Sequence, residues 1–184
     1  MLKPLGTRAL LGAPAGVLAG QILQLEDLMG VRVHAELQSR LREAKTWSSR
    51  FDILDEVLAR GLRRDDTAGE LQWAWRKLAT DAGTTRIEDL AREIGWSRRH
   101  LSGRFSVEIG VTPRTLARIA RFEKACALVR RERGTLADIA AGAGYHDQPH
   151  MTREWRALAG CTPKEWIADE FPFVQDYELA ALGQ

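Results

Sequence analysis

Apolar residues recur at helical spacing through most of this chain, and one arrangement of them occurs twice. Residues 86–110 and 135–160 each begin with an apolar-periodic helix, turn at a glycine followed by an aromatic residue, and continue into a second helix that ends near a glycine. In the first copy Leu101 and Phe105 face inward, and in the second copy Met151 and Trp155 do so. The pattern predicts two helix–turn–helix units, a motif whose second helix commonly enters the DNA major groove.

The predicted helix ends agree with this arrangement. Ser97, Thr135 and Asp147 stand where N-cap residues are expected, and Gly144 stands at the turn of the second copy. Between the copies, a helix of about twenty residues, or about 30 Å, is predicted from Pro113 to about residue 133.

The exit from each copy is also repeated. Thr112 is the expected N-cap of the long joining helix, and Cys161-Thr162-Pro163 matches Val111-Thr112-Pro113 in the first copy. Chance rarely reproduces both a turn and its exit, so the second match strengthens the repeat.

The first 83 residues are also predicted to be helical. Their apolar stripes are Leu18, Ile22, Leu25 and Leu28 before Gly30; Val33, Leu37 and Leu41; Phe51 to Leu62, starting at Ser48 or Ser49; and Leu71, Trp75 and Leu78. No strand-like alternation of any length appears. We therefore expect an all-α protein in which a small helical bundle precedes two helix–turn–helix subdomains joined by a long helix.

Composition and charge narrow the class of protein. The 45% apolar and 28% charged content is that of a globular chain, and no apolar run reaches the roughly 18 residues of a membrane span. Residues 84–167 carry 15 Lys and Arg against 10 Asp and Glu, whereas residues 168–184 carry no basic residue and four acidic ones. The basic excess thus lies in the segment that holds both copies, as a phosphate-binding module requires. Cys126 and Cys161 form no disulfide framework, which favours a cytoplasmic protein.

The two copies resemble the DNA-binding domain of the AraC/XylS family of bacterial transcription regulators. The resemblance covers about 85 residues. The residues that carry it are Ile87 to Phe105, Gly110, Thr112, Pro113, Asp138 to Ala140, Gly144, Tyr145, Asp147 to Arg153, Trp155, Gly160, Thr162, Pro163 and Trp166. The departures are small: Gly103 replaces a larger residue in the first recognition helix, and Trp155 and Trp166 replace other aromatic residues.

The resemblance implies three segments. Residues 1–82 are expected to be a helical connector and candidate dimerisation region, residues 83–168 the double helix–turn–helix domain, and residues 169–184 an acidic tail. Some family members also carry an N-terminal sensor domain. This chain is either a fragment without it, which we favour, or a short member that is regulated in another way. Double-stranded DNA is the implied partner, RNA polymerase and a second copy of the chain are further candidates, and no cofactor or membrane partner is implied. Activation and repression are both open.

In the first copy, helical spacing directs four residues of the second helix toward DNA: Arg98, Arg99, Ser102 and Gly103. Arg99 suits a bidentate contact with guanine O6 and N7. Arg98 is better suited to a phosphate or to a solvated surface. Ser102 can bond a base or a phosphate, and Gly103 permits close approach of the backbone.

In the second copy the outward residues are Gln148, Pro149, Thr152 and Arg153. Gln148 suits adenine or a phosphate, and the methyl group of Thr152 suits a thymine methyl. Arg153 has three open interpretations: a guanine contact, a phosphate contact, or an internal ion pair with an acid such as Asp138.

Two other classes of function are weaker. His146 and His150 are four residues apart, with Cys161 beyond them, but Pro149 and the cap at Asp147 explain this stretch without a metal ion. No nucleophile motif, phosphate-binding loop or carboxylate pair indicates an enzyme. A helical protein-interaction module without DNA binding is the alternative, since the helix with Trp73 and Trp75 and the tail with Phe171 and Phe173 offer apolar surface.

Overall fold

The computed structural model describes residues 4–63, 67–131 and 134–170, and these residues form twelve helices and no β-strand. The expected all-α class is therefore confirmed. The first six helices are α1 (Pro4–Leu11), α2 (Ala15–Leu18), α3 (Leu25–Met29), α4 (Val31–Glu43), α5 (Trp47–Gly61) and α6 (Gly69–Thr80). The next six are α7 (Ile87–Glu93), α8 (Arg98–Ile109), α9 (Pro113–Arg131), α10 (Leu136–Ala143), α11 (Gln148–Ala159) and α12 (Pro163–Glu170). Within the described part of the chain, no helix is long and apolar enough to cross a bilayer.

Contacts divide the chain into two compact units that are not contiguous in sequence. One unit comprises residues up to 72 together with 102–112, and the other comprises 73–101 together with the residues from 113 onward. The first division falls inside α6, about ten residues before the boundary proposed between residues 82 and 83. The compact units and the sequence-based segments are thus different divisions of the chain, and the segments at 1–82, 83–168 and 169–184 stay a prediction.

In the first unit, α4 and α5 pack against each other as the apolar stripes predicted. Leu37 of α4 and Val57 of α5 are buried. On the exposed side, Glu36 accepts a 2.6 Å hydrogen bond from Arg60, and Arg40 pairs with Glu56. Because these ion pairs are exposed, burial of the apolar stripes accounts for most of the stability of the helix pair.

A buried carboxylate joins α1 to the C-terminal end of α8 within the same unit. The Glu108 side chain is 5% exposed. Its carboxylate accepts hydrogen bonds of 2.8–3.0 Å from two nitrogens of the Arg8 guanidinium, Nε and Nη2. Arg104 lies 3.6 Å from the same carboxylate. Removing Arg8 would remove every hydrogen bond from Arg8 to this buried carboxylate and leave it the 3.6 Å ion pair with Arg104, and breaking a buried pair is strongly destabilising in general.

Two predictions about the N-terminal helices are wrong. The stripe from Leu18 to Leu28 is not one helix, because α2 ends at Leu18 and α3 begins at Leu25. Gly20 between them has a φ of +71°, which interrupts a right-handed helix, and Ile22 is 99% exposed.

The second wrong prediction concerns the start of α5. Its N-cap is Thr46, whose hydroxyl accepts the backbone N–H of Ser49 at 3.1 Å. Ser49 is thus the N3 partner in a capping box, and neither Ser48 nor Ser49 is the cap.

The second unit has a continuous apolar core formed by α9 to α12. The core residues are Ala125, Cys126, Leu136, Ile139, Ala140, Ala143, Tyr145, Met151, Trp155 and Ile167. The Trp155 ring is fully buried, and it packs edge-on against Phe122 at 4.9 Å and against Trp166 at 5.5 Å between centroids. Aromatic pairs of this geometry add about 0.5–1.5 kcal/mol to the contribution of buried area. This core holds α10, α11 and α12 against the long helix α9.

Candidate nucleic-acid interface

The first helix–turn–helix unit is formed by α7 and α8, as predicted. Leu90 and Ala91 bury the inner face of α7, and Gly95 takes a φ of +72° at the turn. The hydroxyl of Ser97 accepts the backbone N–H of His100 at 3.1 Å, which confirms Ser97 as the N-cap of α8. Leu101 and Phe105 are fully buried, so the opposite face of α8 is the one that can meet another molecule.

The two adjacent arginines of α8 differ in their partners. Arg98 is exposed and donates a 2.8 Å hydrogen bond to Glu88, and this bond is the main reason that the pKa of Glu88 lies below its ordinary value. Arg99 is also exposed, but it makes no hydrogen bond or ion pair with any residue that the structure describes. Arg99 is therefore the more available of the two for a nucleic acid.

The other two candidates on α8 lie along the same helical face. Ser102 is half-buried and Gly103 is exposed. A Cβ atom placed on Gly103 would meet nothing within 4 Å, so this glycine is not required by the packing of the helix. The surface beside Gly103 is open to another molecule.

The second helix–turn–helix unit, formed by α10 and α11, has the predicted caps at each end. Thr135 and Asp138 form a reciprocal capping box, and Gly144 ends α10 with a φ of +87°. Asp147 accepts the backbone N–H of His150 at 2.6 Å and so caps α11. Met151 and Trp155 are fully buried, as expected from their spacing.

The predicted contact residues of α11 lie on its outer face. Gln148 and Thr152 are half-buried, and Pro149 and Arg153 are exposed. Arg153 makes no hydrogen bond or ion pair among the described residues.

The suggested ion pair between Arg153 and Asp138 is not formed. Asp138 instead accepts the hydroxyl of Thr135 at 2.7 Å and its backbone N–H at 3.0 Å, and these bonds lower the pKa of the Asp138 carboxyl. The carboxylate is therefore engaged at the start of its own helix, which leaves Arg153 available for external contacts.

One further basic residue of this face was missed in the sequence. Arg156 is exposed and, within the described ranges, makes no hydrogen bond or ion pair. It lies three residues after Arg153 and four after Thr152, so helical spacing alone would have placed it beside them.

A second missed feature lies on the inner side of α11. Glu154 is 14% exposed and accepts a 2.8 Å hydrogen bond from Nε of Arg118 on α9. Arg121, one turn further along α9, lies 3.8 Å from the other carboxylate oxygen and donates a 2.9 Å hydrogen bond to the carbonyl of Gly83. Nothing in the spacing of the sequence indicated this cluster, because its members are 36 residues apart.

The two histidines suggested as a metal pair have different surroundings. His146 is exposed, whereas the His150 ring packs edge-on against Tyr145 at 5.4 Å between centroids. Among the described residues, no group of three His, Cys, Asp or Glu side chains is arranged to hold a metal ion.

Comparison with known proteins locates the similarity in the same segment. Residues 90–169, which run from within α7 to within α12, match a family model described as a helix-turn-helix domain. The chain is 35% identical over 80 residues to the F1 operon positive regulatory protein of Yersinia pestis, over 44% of this chain and 27% of that protein. It is 29% identical over 80 residues to the virulence regulon transcriptional activator VirF of Yersinia enterocolitica, over 44% of this chain and 30% of that protein.

A solved structure is also similar. The structure of the xylose-binding transcription activator XylR matches 56% of this chain and 28% of that chain, with 23% identity and a TM-score of 0.48. In each of these comparisons, the matched part is less than a third of the length of the other protein.

Proposed function

We propose that this protein, whose residues 90–169 form an AraC-type helix–turn–helix domain, is a sequence-specific DNA-binding transcription regulator. The observation that carries the proposal is the presence on both second helices of an exposed arginine that pairs with no described residue, Arg99 on α8 and Arg153 on α11. Each helix is capped at its start and held by fully buried side chains. A rigid helix that presents an uncompensated guanidinium is suited to recognising the edge of a base or a phosphate.

We assign different roles to the residues of α8. Arg99 would contact the guanine edge through two parallel hydrogen bonds, and Ser102 and Gly103 would allow close approach of the helix to the groove. Arg98 would contact a phosphate, for which it must exchange its exposed ion pair with Glu88. Exposed ion pairs are weak, so this exchange costs little.

On α11, Gln148 and Thr152 would contact bases, and Pro149 would lie at the entry of the helix into the groove. Arg153 and Arg156 would contact base edges or the flanking phosphates. Backbone N–H groups at the starts of α8 and α11 can add phosphate contacts, since a helix N-terminus favours anions.

The joining helix α9 supports a site with two parts. Its 19 residues span about 28 Å at 1.5 Å per residue, close to the roughly 34 Å turn of B-DNA. We therefore propose that the two second helices occupy successive major grooves of a site of about 15–20 base pairs.

The remaining assignments follow from this function. We place DNA binding in residues 83–168, a connector and dimerisation role in residues 1–82, and the acidic tail in residues 169–184, most of which lies outside the described residues. Two relatives are named as positive regulators or activators, which supports RNA polymerase as a further partner and the cytoplasm as the location. None of these relatives is named as an enzyme, and we propose no catalytic role.

The proposed function is tested by selecting bound sequences from a random DNA pool, followed by gel shifts over a salt series. We expect a defined consensus, with an affinity that falls steeply as salt rises because phosphate contacts release counterions. Absence of binding at low salt would contradict DNA binding and leave a protein-interaction module.

The role of Arg99 is tested against its neighbour. We expect Arg99→Ala to relax the base preference at one end of the site by roughly fivefold or more, because it removes a bidentate base contact. Arg98→Ala, the matched control, should weaken all sequences alike and leave the consensus unchanged. If Arg99→Ala behaves in the same uniform way, Arg99 is a phosphate contact.

A further inference from the structure

Glu154 lies between two arginines of the long helix α9. Its Oε1 accepts a 2.8 Å hydrogen bond from Arg118, and its Oε2 lies 3.8 Å from Arg121. Arg121 is itself held by its 2.9 Å hydrogen bond to the carbonyl of Gly83 and by its position over the Tyr145 ring at 5.8 Å. The Glu154 carboxylate thus connects α11 to α9, where Arg121 is also held by its contacts with Gly83 and Tyr145.

The Glu154 side chain points away from the surface that would meet DNA. It is 14% exposed, and its Oε2 atom is fully buried without a hydrogen-bond partner among the described residues. A carboxylate on an otherwise basic DNA-binding helix would repel phosphates if it faced them. In this position it is neutralised by α9 and cannot contact a base.

This ion pair adds a polar restraint to the one that the apolar core supplies. Met151 and Trp155 are four residues apart, so they form a single line of contact along α11. Glu154 is displaced by about 100° around the helix from Trp155, where its bond to Arg118 opposes rotation about that line. A rotation of 10° would move atoms about 6 Å from the axis by about 1 Å, enough to break a hydrogen bond to a base.

We infer that Glu154 is a positioning residue, which sets the rotation of α11 through Arg118 and Arg121 and so determines which bases Thr152 and Arg153 can read. The inference rests on the proposed DNA-binding function. It differs from the contact assignments above because Glu154 touches no DNA and acts on specificity through α9.

The test uses the full chain and the Glu154→Gln variant, which keeps the side-chain volume but removes the charge that holds two arginines. Glu123→Gln is the matched control, because Glu123 is an exposed acid of the same unit with no hydrogen bond or ion pair among the described residues. Both variants raise the net charge by one, so their effects on phosphate attraction are alike. Arg118→Lys retains a cation beside Glu154 and serves as the conservative variant.

The measurement is the base preference of each half of the selected site, with the α8 half identified by Arg99→Ala. We expect Glu154→Gln to lower discrimination in the other half by roughly threefold to tenfold. The α8 half should keep its preference, and Glu123→Gln and Arg118→Lys should resemble the unmodified chain. A loss of folded protein would instead weaken binding to every sequence equally and would not change one half alone.

Arg118→Gln provides a second route if Glu154→Gln does not fold, since it leaves Arg121 to neutralise the carboxylate. It should lower discrimination in the same half, and combining it with Glu154→Gln should add little. If the unmodified chain selects a consensus but neither variant changes the preference in the α11 half, the positioning role is overturned and the DNA-binding function stands. If the unmodified chain selects no sequence, both the proposed sequence-specific DNA binding and the positioning role of Glu154 are overturned.

Discussion

The arginines of the basic segment are not equivalent, and their partners separate them into two groups. In one group the guanidinium is paired with a carboxylate of the protein; its members are Arg92, Arg98, Arg104, Arg118, Arg121 and Arg130. In the other group the guanidinium makes no hydrogen bond or ion pair within the described residues. On α8 and α11, the arginines of this second group are Arg99, Arg153 and Arg156. The positive charge left without a carboxylate partner on the two second helices is therefore less than the charge count of residues 84–167 indicates.

Tyr145 makes the second compact unit lose stability at alkaline pH. Burial is the main reason that its pKa is raised from 10.0 to about 12, and the nearby Glu154 carboxylate contributes. The folded state favours the neutral phenol, whereas the unfolded chain ionises near pH 10. The stabilisation is thus complete below that pH and is lost as the pH rises from about 10 to about 12.

We expect Tyr145→Phe to be within about 1 kcal/mol of the unmodified chain near pH 7, because the Tyr145 hydroxyl has no hydrogen-bond partner among the described residues. At about pH 11 the variant should retain about 1 kcal/mol that the unmodified chain has lost. Urea unfolding at both pH values measures this difference. Cys126, whose pKa burial raises to about 11, contributes a similar loss that both proteins share. Parallel losses in the two proteins would refute the role of Tyr145.

At the scale of the elements, most helix starts in the second unit are specified by capping. Thr135 with Asp138 and Thr162 with Glu165 form reciprocal boxes, and Asp147 caps α11. Each cap contributes about 0.5–2 kcal/mol and also determines where the helix begins. The starting residues of α10, α11 and α12 are therefore marked by local hydrogen bonds.

The close approach of the loop before α7 to α9 depends on Gly83. This glycine has a φ of +68°, and a Cβ atom placed on it would lie 2.1 Å from the carbonyl oxygen of Ala117. We expect Gly83→Ala to destabilise the protein by about 3 kcal/mol or more, because it adds left-handed strain and a clash with the backbone of α9. Urea unfolding measures the change in the free energy of unfolding.

Gly103→Ala is the control for that experiment. Gly103 lies inside α8 with open space around it, so alanine should stabilise the helix by roughly 0.5–1 kcal/mol. Similar small effects of the two substitutions would show that the loop can move away from α9 at little cost.

At the scale of the whole molecule, the compact units show where the chain can be divided. Residues 73–82 belong to the second compact unit, and several hydrogen bonds join them to the residues that follow. Lys77 donates a 2.6 Å hydrogen bond to Glu93, Asp81 accepts one of 2.6 Å from Thr85, and Leu78 accepts the backbone N–H of Gly83. A boundary between residues 82 and 83 removes these contacts.

We therefore expect a fragment of residues 83–184 to be less stable than one of residues 73–184. Loss of the second half of α6, with the buried Ala74 and Leu78, should lower the melting temperature by about 10 °C. Circular dichroism melts of the two fragments measure the difference. Equal melting temperatures would favour the boundary predicted from the sequence.

The sequence by itself determined the features that depend on neighbours within one or two helical turns. Spacing of apolar residues predicted the buried positions Leu101, Phe105, Met151 and Trp155, and all four are fully buried. Cap residues and glycines predicted the ends of α8, α10 and α11. The prediction of one helix across Leu18 to Leu28 was wrong because it considered only the apolar spacing. Gly20 has a positive φ, which interrupts a right-handed helix.

Only the tertiary structure decided which charged side chains form ion pairs within the protein. Arg8 and Glu108 are 100 residues apart, and Arg118 and Glu154 are 36 apart, so no local spacing relates them. The same holds for Gly83, whose approach to Ala117 follows from the packing of α9. An arginine has the same sequence signature whether it is free or paired, because its partner is set by which helices pack together. For that reason the sequence located the two helix–turn–helix pairs, while the structure showed that Arg98 is paired with Glu88 and that Glu154 is bonded to Arg118 on the inner side of α11.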